Sequence, residues 1–208
     1  MSPILIVILV FIVAVAFWLM AVYNALVRLN NKTKEAWSDI DVQLKRRHDL
    51  IPNLIETVKG YASHEKGVFE AVTKARSQAM QSTNPAEAAQ SENQLSQTLK
   101  SLFAVAENYP DLKANQNFAK LQDELTQTED KIEAARRYYN GNVRDFNTKI
   151  ETFPNNMVAG MLHFKKYDFY EIKDAKEKEV PKVNFQEQEN EENFEINEDR
   201  SKSDETLD

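Results

Sequence analysis

The chain has 208 residues, no cysteine, four glycines and a formal net charge of −7 at pH 7. The lack of cysteine excludes disulfides, thiolate nucleophiles and cysteine-ligated zinc, and Gly60, Gly67, Gly141 and Gly160 are too scattered to build a phosphate-binding glycine loop. Residues 174–208 carry a net −8 and the rest a net +1, so the body is nearly neutral and has no broad basic stripe for nucleic acid.

Ile4 to Val22 reads ILIVILVFIVAVAFWLMAV, uncharged throughout. A hydrocarbon core of about 30 Å is crossed by roughly 20 helical residues, so this stretch predicts one transmembrane helix. A cleaved signal peptide is the alternative. Met1-Ser2-Pro3 has no basic residue, however, and bulky Phe17, Trp18, Leu19 and Met20 stand where small residues would mark cleavage. Trp18 and Tyr23 suit an interfacial aromatic belt. Arg28, Lys32 and Lys34 all follow the span, which places the N-terminus outside and the remainder in the cytoplasm by the positive-inside rule.

No turn residue separates Val22 from Trp37, so the membrane helix is expected to run into a soluble one. Trp37, Leu44, Ile51 and Val58 recur every seven residues, with Ile40, Leu54, Ile55, Ala62 and Phe69 alongside, as one helical stripe. Pro52 predicts a kink, because it removes a backbone donor and crowds the preceding turn. Asn84-Pro85 is a helix start, and the helix that follows carries Leu95, Leu99, Leu102, Phe103 and Ala106 before Tyr109-Pro110-Asp111 ends it. The third long helix repeats Phe118, Leu125, Ile132, Tyr139, Phe146 and Phe153 at strict heptad spacing. Gly141 inside it suggests a tight crossing or a mild bend. Pro154 closes it, Asn155 to His163 predicts a short further helix, and FKKYDFYEI reads as extended.

The three histidines, His48, His64 and His163, lack the spacing of a zinc helix, and no nucleophile–base motif occurs. No catalytic, cofactor-binding or metal-binding residue is therefore assigned, and the chain reads as non-enzymatic with no small-molecule substrate. Lys45-Arg46-Arg47 and Arg136-Arg137 flank the apolar stripes near Asp39, Asp41, Asp49, Glu129, Asp130 and Glu133. They read as ion pairs at the rim of the bundle or as subunit contacts. Lipid contact is disfavoured, because Lys45 starts about 35 Å beyond Val22 along a straight helix. Asp41 or Asp49 is expected to pair with an arginine of the third helix and set the register.

Specific strings carry a family resemblance. YNALV (23–27), AWSDIDVQLKRRHDLIPNLIETVKGYASHE (36–65), RRYYNGNVRDFN (136–147) and FPNNMVAGMLHFKK (153–166) follow one another behind the N-terminal anchor. The chain resembles the LemA family of bacterial membrane proteins over roughly residues 1–172, with the acidic tail outside. The resemblance implies an antiparallel bundle of long helices on a single-pass anchor. The family has no established catalytic activity. A magnetosome-formation protein that takes part in shaping internal membranes is similar to this family, which implies a membrane-organising role.

The expected fold is all-α. A transmembrane anchor (1–27) continues into a long-helix antiparallel three- or four-helix bundle (28–172), followed by a disordered acidic tail (173–208). The tail reads either as solubilising or, through Val183, Phe185, Phe194 and Ile196, as a docking segment. The expected function is a self-associating scaffold in the bacterial cytoplasmic membrane. A regulatory adaptor for another envelope protein, such as a membrane protease or transporter, is the alternative. The lipid bilayer (through residues 4–22), further copies of the chain and an envelope protein are the expected partners. Assembly or packing is assigned to Trp37, Asp41, Arg46, Arg47, Asp49 and Pro52, and to Arg136, Arg137, Tyr138, Tyr139 and Asn140.

Overall fold

A computed structural model describes residues 2–171; the acidic tail lies outside the described residues. Six helices occur there, with no strand among the described residues: α1 (Pro3–Lys59), α2 (Lys66–Ala79), α3 (Pro85–Ala106), α4 (Pro110–Lys113), α5 (Gln116–Glu151) and α6 (Asn155–Met161).

α1 joins the apolar segment to the bundle without a break. It is the one described helix long and apolar enough to cross a membrane, and none of its apolar window is buried. Burial begins at Val22 and Leu26 and then follows Thr33, Ala36, Ile40, Leu44, Arg47, Ile51, Leu54 and Val58, the periodicity of one helix face. The heptad row of α5 is buried at Phe118, Leu125, Ile132, Tyr139 and Phe146. Phe153 falls beyond the helix end and is 74% exposed.

Three clusters order the helices. Ile51 to Val58 meet Phe69, Val72, Leu95, Leu102, Phe118 and Leu125 at the distal end. Ala36, Ile40 and Leu44 meet Ala88, Ala89, Ile132, Tyr139 and Val143 at mid-height. Val22 and Leu26 meet Phe146, Ile150, Val158 and Ala159 next to the apolar span. α3 thus runs parallel to α1, and α5 antiparallel to it. α2 and α3 form a shorter hairpin on the distal half, and α1 and α5 continue below it as a pair.

Local signals explain three of the helix ends. The Asn84 side chain accepts the Glu87 amide at 2.9 Å, and Asn115 accepts the amides of Asn117 and Phe118 at 2.8 and 3.2 Å. α6 ends in a Schellman arrangement. His163 adopts φ 57°, its amide donates to Gly160, and the Phe164 amide donates to Ala159.

Two sequence expectations change. The stripe through Phe69 is not one helix, because the chain turns between Lys59 and Lys66 and Phe69 joins the same core from α2. Gly141 marks no tight crossing, since nothing lies within 4 Å of where its Cβ would be.

Candidate functional site

The buried charges of the bundle core meet in one ionic knot; the other buried polar side chains, Thr33, Thr128, Asn142 and Asn155, are uncharged. Arg47 lies on the inward face of α1, between Leu44 and Ile51, and is 2% exposed. Its guanidinium pairs with the Glu92 carboxylate from α3, which is also buried. It also donates to Glu129 Oε2 on α5 at 2.5 Å, to Ser96 Oγ at 3.1 Å and to the Glu92 carbonyl at 3.2 Å. His48 Nε2 donates to the other Glu92 oxygen at 2.7 Å. Burial alone lowers the Arg47 pKa; the two carboxylates more than offset this, so it stands above its ordinary value. Three helices that otherwise meet through aliphatic and aromatic contacts are thus tied at one point of fixed geometry. Arg47 Nε finds no acceptor among the described residues.

The knot floors a groove of about 520 Å³ between α3 and α5. Lys100, Arg136, Glu129, Asp130, Glu133 and Tyr170 line it. Both signs of charge are present, so the lining suits a polar segment of mixed charge rather than a simple anion or cation.

A second constellation holds the segment after α6. An extended backbone leaves its amides and carbonyls in need of partners, and α5 supplies them from two asparagines. Asn147 donates to the Tyr167 carbonyl at 2.9 Å and accepts its amide at 3.0 Å. Asn140, seven residues earlier on the same face, does the same to Tyr170 at 3.1 and 2.9 Å. Each side-chain amide acts as a strand partner would. Tyr139 donates to the Asp168 carbonyl at 2.9 Å, and Tyr167 donates to Asn30 on α1 at 2.8 Å. Trp37 packs its ring 5.4 Å from Tyr139 and 6.0 Å from Tyr170. Burial, with Tyr167 and Asp168 adding to it, pushes the Tyr139 hydroxyl up to about 12. Burial also raises Tyr167 and Tyr170.

The family model for "LemA family" matches residues 36–185, well over half of the chain. The chain belongs to the LemA family. It is similar to Protein LemA of Metamycoplasma hominis, 30% identical over 164 residues that cover 77% of this chain and 71% of that one. It is also similar to Magnetosome protein MamQ 2 of Paramagnetospirillum magneticum, 23% identical over 190 residues, covering 79% of this chain and 70% of the other. The match starts inside α1 and takes in the knot and both asparagine clamps. It ends at residue 185, so it takes in the start of the acidic tail expected to lie outside it.

In this LemA-family chain the residues singled out from sequence divide into two groups. Arg47 and Tyr139 are buried, and Trp37, Asn140 and Arg136 are half-buried, Arg136 on the groove. Asp41, Arg46, Asp49, Pro52, Arg137 and Tyr138 are exposed. Arg137 pairs with Glu133 along α5 at 2.5 Å, and Lys32 sits 5.6 Å above the Tyr138 ring. Asp41 and Asp49 form no ion pair among the described residues. The bridging pair has the opposite polarity, with the arginine on α1 and the carboxylates on α3 and α5. The reason is helical phase: positions 41 and 49 face solvent, while 47 shares the face of Ile40, Leu44 and Ile51. Glu129 is one of the carboxylates read as ion-pair partners of the basic clusters, and it pairs with Arg47; Glu92, Asn147, Tyr167 and Tyr170 were not anticipated. Glu92 could have been found, because it lies three residues before Leu95 and four after Ala88 on the apolar face of α3.

Proposed function

We propose that the chain is a non-enzymatic, membrane-anchored scaffold that self-associates and organises the bacterial cell envelope. The observation that carries this reading is α1, a single 57-residue helix whose first third is a fully exposed apolar span and whose remainder is the spine of the bundle. A spine continuous with its anchor holds the bundle at a fixed height above the bilayer. Three basic residues directly after the span, Arg28, Lys32 and Lys34, support a cytoplasmic-membrane location with the N-terminus outside and the bundle in the cytoplasm. The likeness to magnetosome proteins supports a role in organising membranes.

The α5 heptads pack inward on α1 and leave no free coiled-coil row. Assembly contacts are therefore assigned to the exposed members of the two motifs, Asp41, Arg46, Asp49, Arg137 and Tyr138, together with exposed Val42. Anchoring many copies in one membrane raises their effective concentration, so weak contacts suffice.

In-cell crosslinking of single cysteines tests this, since the chain has none of its own. Cysteines placed along the exposed faces of residues 30–75 and 115–150 should give a ladder of dimers, trimers and larger species from one face. Monomer at every position would end the scaffold reading. The α3–α5 groove favours a second reading, an adaptor that holds a segment of another envelope protein, such as a membrane protease or transporter. Adducts of one foreign mass at groove-edge positions would support it.

A further inference from the structure

The exposed apolar side chains outside the span are concentrated on α6 and its flanks. Phe153 is 74% exposed, Met157 62% and Met161 79%, and Leu162 follows at 45%. Phe153, Met157 and Met161 are spaced four residues apart, and the opposite side of α6, Val158 and Ala159, is buried against Val22 and Leu26. α6 is therefore apolar on both sides, with Val158 and Ala159 in the core and the larger Met157 and Met161 exposed away from it.

Three observations name what covers that outer side. The first is height: Val22, the last residue of the apolar span, touches the same cluster as Val158, so α6 lies level with the end of the span. The second is charge. No aspartate or glutamate occurs from Met1 to Lys34 or from Thr152 to Tyr167, in a chain with 33 of them. The same two stretches carry Arg28, Lys32, Lys34, His163, Lys165 and Lys166, with Lys166 paired to Glu151. The third is a fixed connection. The Schellman turn at His163 bonds back to α6, and the asparagine clamps tie the segment that follows to α5, so this surface is held in place.

We propose that α6, with Phe153 and Leu162 to Lys166, is a lipid-seated foot. Its phenylalanine and methionines enter the acyl boundary, and its lysines meet anionic headgroups. The foot gives the protein a second footing beside the span and fixes which face of the bundle looks along the membrane. This rests on the reading of Ile4–Val22 as a membrane anchor.

The test uses the full chain reconstituted in vesicles of phosphatidylcholine and phosphatidylglycerol, with lipids brominated in the upper acyl chain as quenchers. A small fluorophore is placed at Met157→Cys, Met161→Cys, Leu9→Cys and Ser77→Cys, one per protein. Positions 157 and 161 should be quenched several-fold more than position 77, and position 9 should be quenched as well. Substituting Lys165→Gln and Lys166→Gln should weaken quenching at 157 when phosphatidylglycerol is present. If position 9 is quenched while 157 and 161 match 77, the anchor stands and the foot is overturned. Disulfide-linked dimers through Met161→Cys without lipid quenching would assign the surface to a second copy and also overturn it. An unquenched position 9 would remove the anchor, and the foot with it.

Discussion

Arg76 Nε donates to the carbonyl oxygen of His48 at 2.7 Å, and that carbonyl is the one that Pro52 leaves without its helical amide. A proline inside a helix removes the bond to the residue four positions earlier, and here a side chain from α2 replaces it. This explains why α1 continues through Pro52 to Lys59 and how α2 is fastened to it. Arg76→Ala should cost about 1–3 kcal/mol, the range for a buried acceptor losing its donor. In a Pro52→Ala background the new alanine supplies the missing amide, so the same change should cost clearly less. Denaturant unfolding of the four proteins of this cycle measures the coupling; strict additivity would disconnect the two residues.

The ionic knot predicts an asymmetry between single and paired substitutions. Arg47→Met alone leaves the buried Glu92 carboxylate with His48 but without its cation, and should destabilise by about 3–5 kcal/mol. Adding Glu92→Leu removes the stranded carboxylate and should recover much of that loss. Glu129 is more than half exposed and can rehydrate, so Glu129→Gln should cost far less. Chemical denaturation gives all three values. A double variant no better than Arg47→Met would show that Arg47 acts through shape and not charge.

Tyr139 makes stability sensitive to alkali. Its folded pKa of about 12 is above the ordinary value of 10, so the protonated form is favoured in the folded state. The contribution is complete below pH 10 and is lost as pH rises from 10 through about 12. The melting temperature should fall across that window, and Tyr139→Phe should flatten part of the fall. An unchanged slope in the variant would move the effect to Tyr167 and Tyr170.

The asparagine clamps predict local opening. Asn140→Ala or Asn147→Ala deletes two hydrogen bonds, at about 0.5–1.5 kcal/mol each. The segment 164–171 should then exchange its amide hydrogens faster than the α1–α5 core, which hydrogen-exchange mass spectrometry resolves. Uniform acceleration over the whole bundle would contradict a local role.

Gly141 offers a gain. It is helical with open space around its Cβ position, so Gly141→Ala should stabilise by about 0.5–1 kcal/mol. A thermal melt checks the sign. Destabilisation would contradict the open space at this position.

Much of the architecture was legible because long helices advertise their buried face. The rows from Trp37 to Val58 and from Phe118 to Phe146 are the observed core faces, and residues 164–171 of FKKYDFYEI form no helix. The knot was harder. In Lys45-Arg46-Arg47 the three cations look alike by composition, and only the phase set by Leu44 and Ile51 separates the inward Arg47 from its neighbours. Its partners come from helices distant in sequence, and nothing local in the sequence marks such a meeting. The clamps left a trace, two asparagines a heptad apart beside buried Tyr139 and Phe146. Their purpose depends on a segment that returns to α5 only after the turn through α6.

The unbroken course of α1 makes it a lever arm. From Val22 to Lys59 it rises about 55 Å at 1.5 Å per residue, and a change of about 10° in the tilt of a membrane helix would swing its far end by about 10 Å. Packing clusters flank α1 along that length, on both sides of Pro52, so a change of tilt at one end reaches the crown of the bundle as displacement.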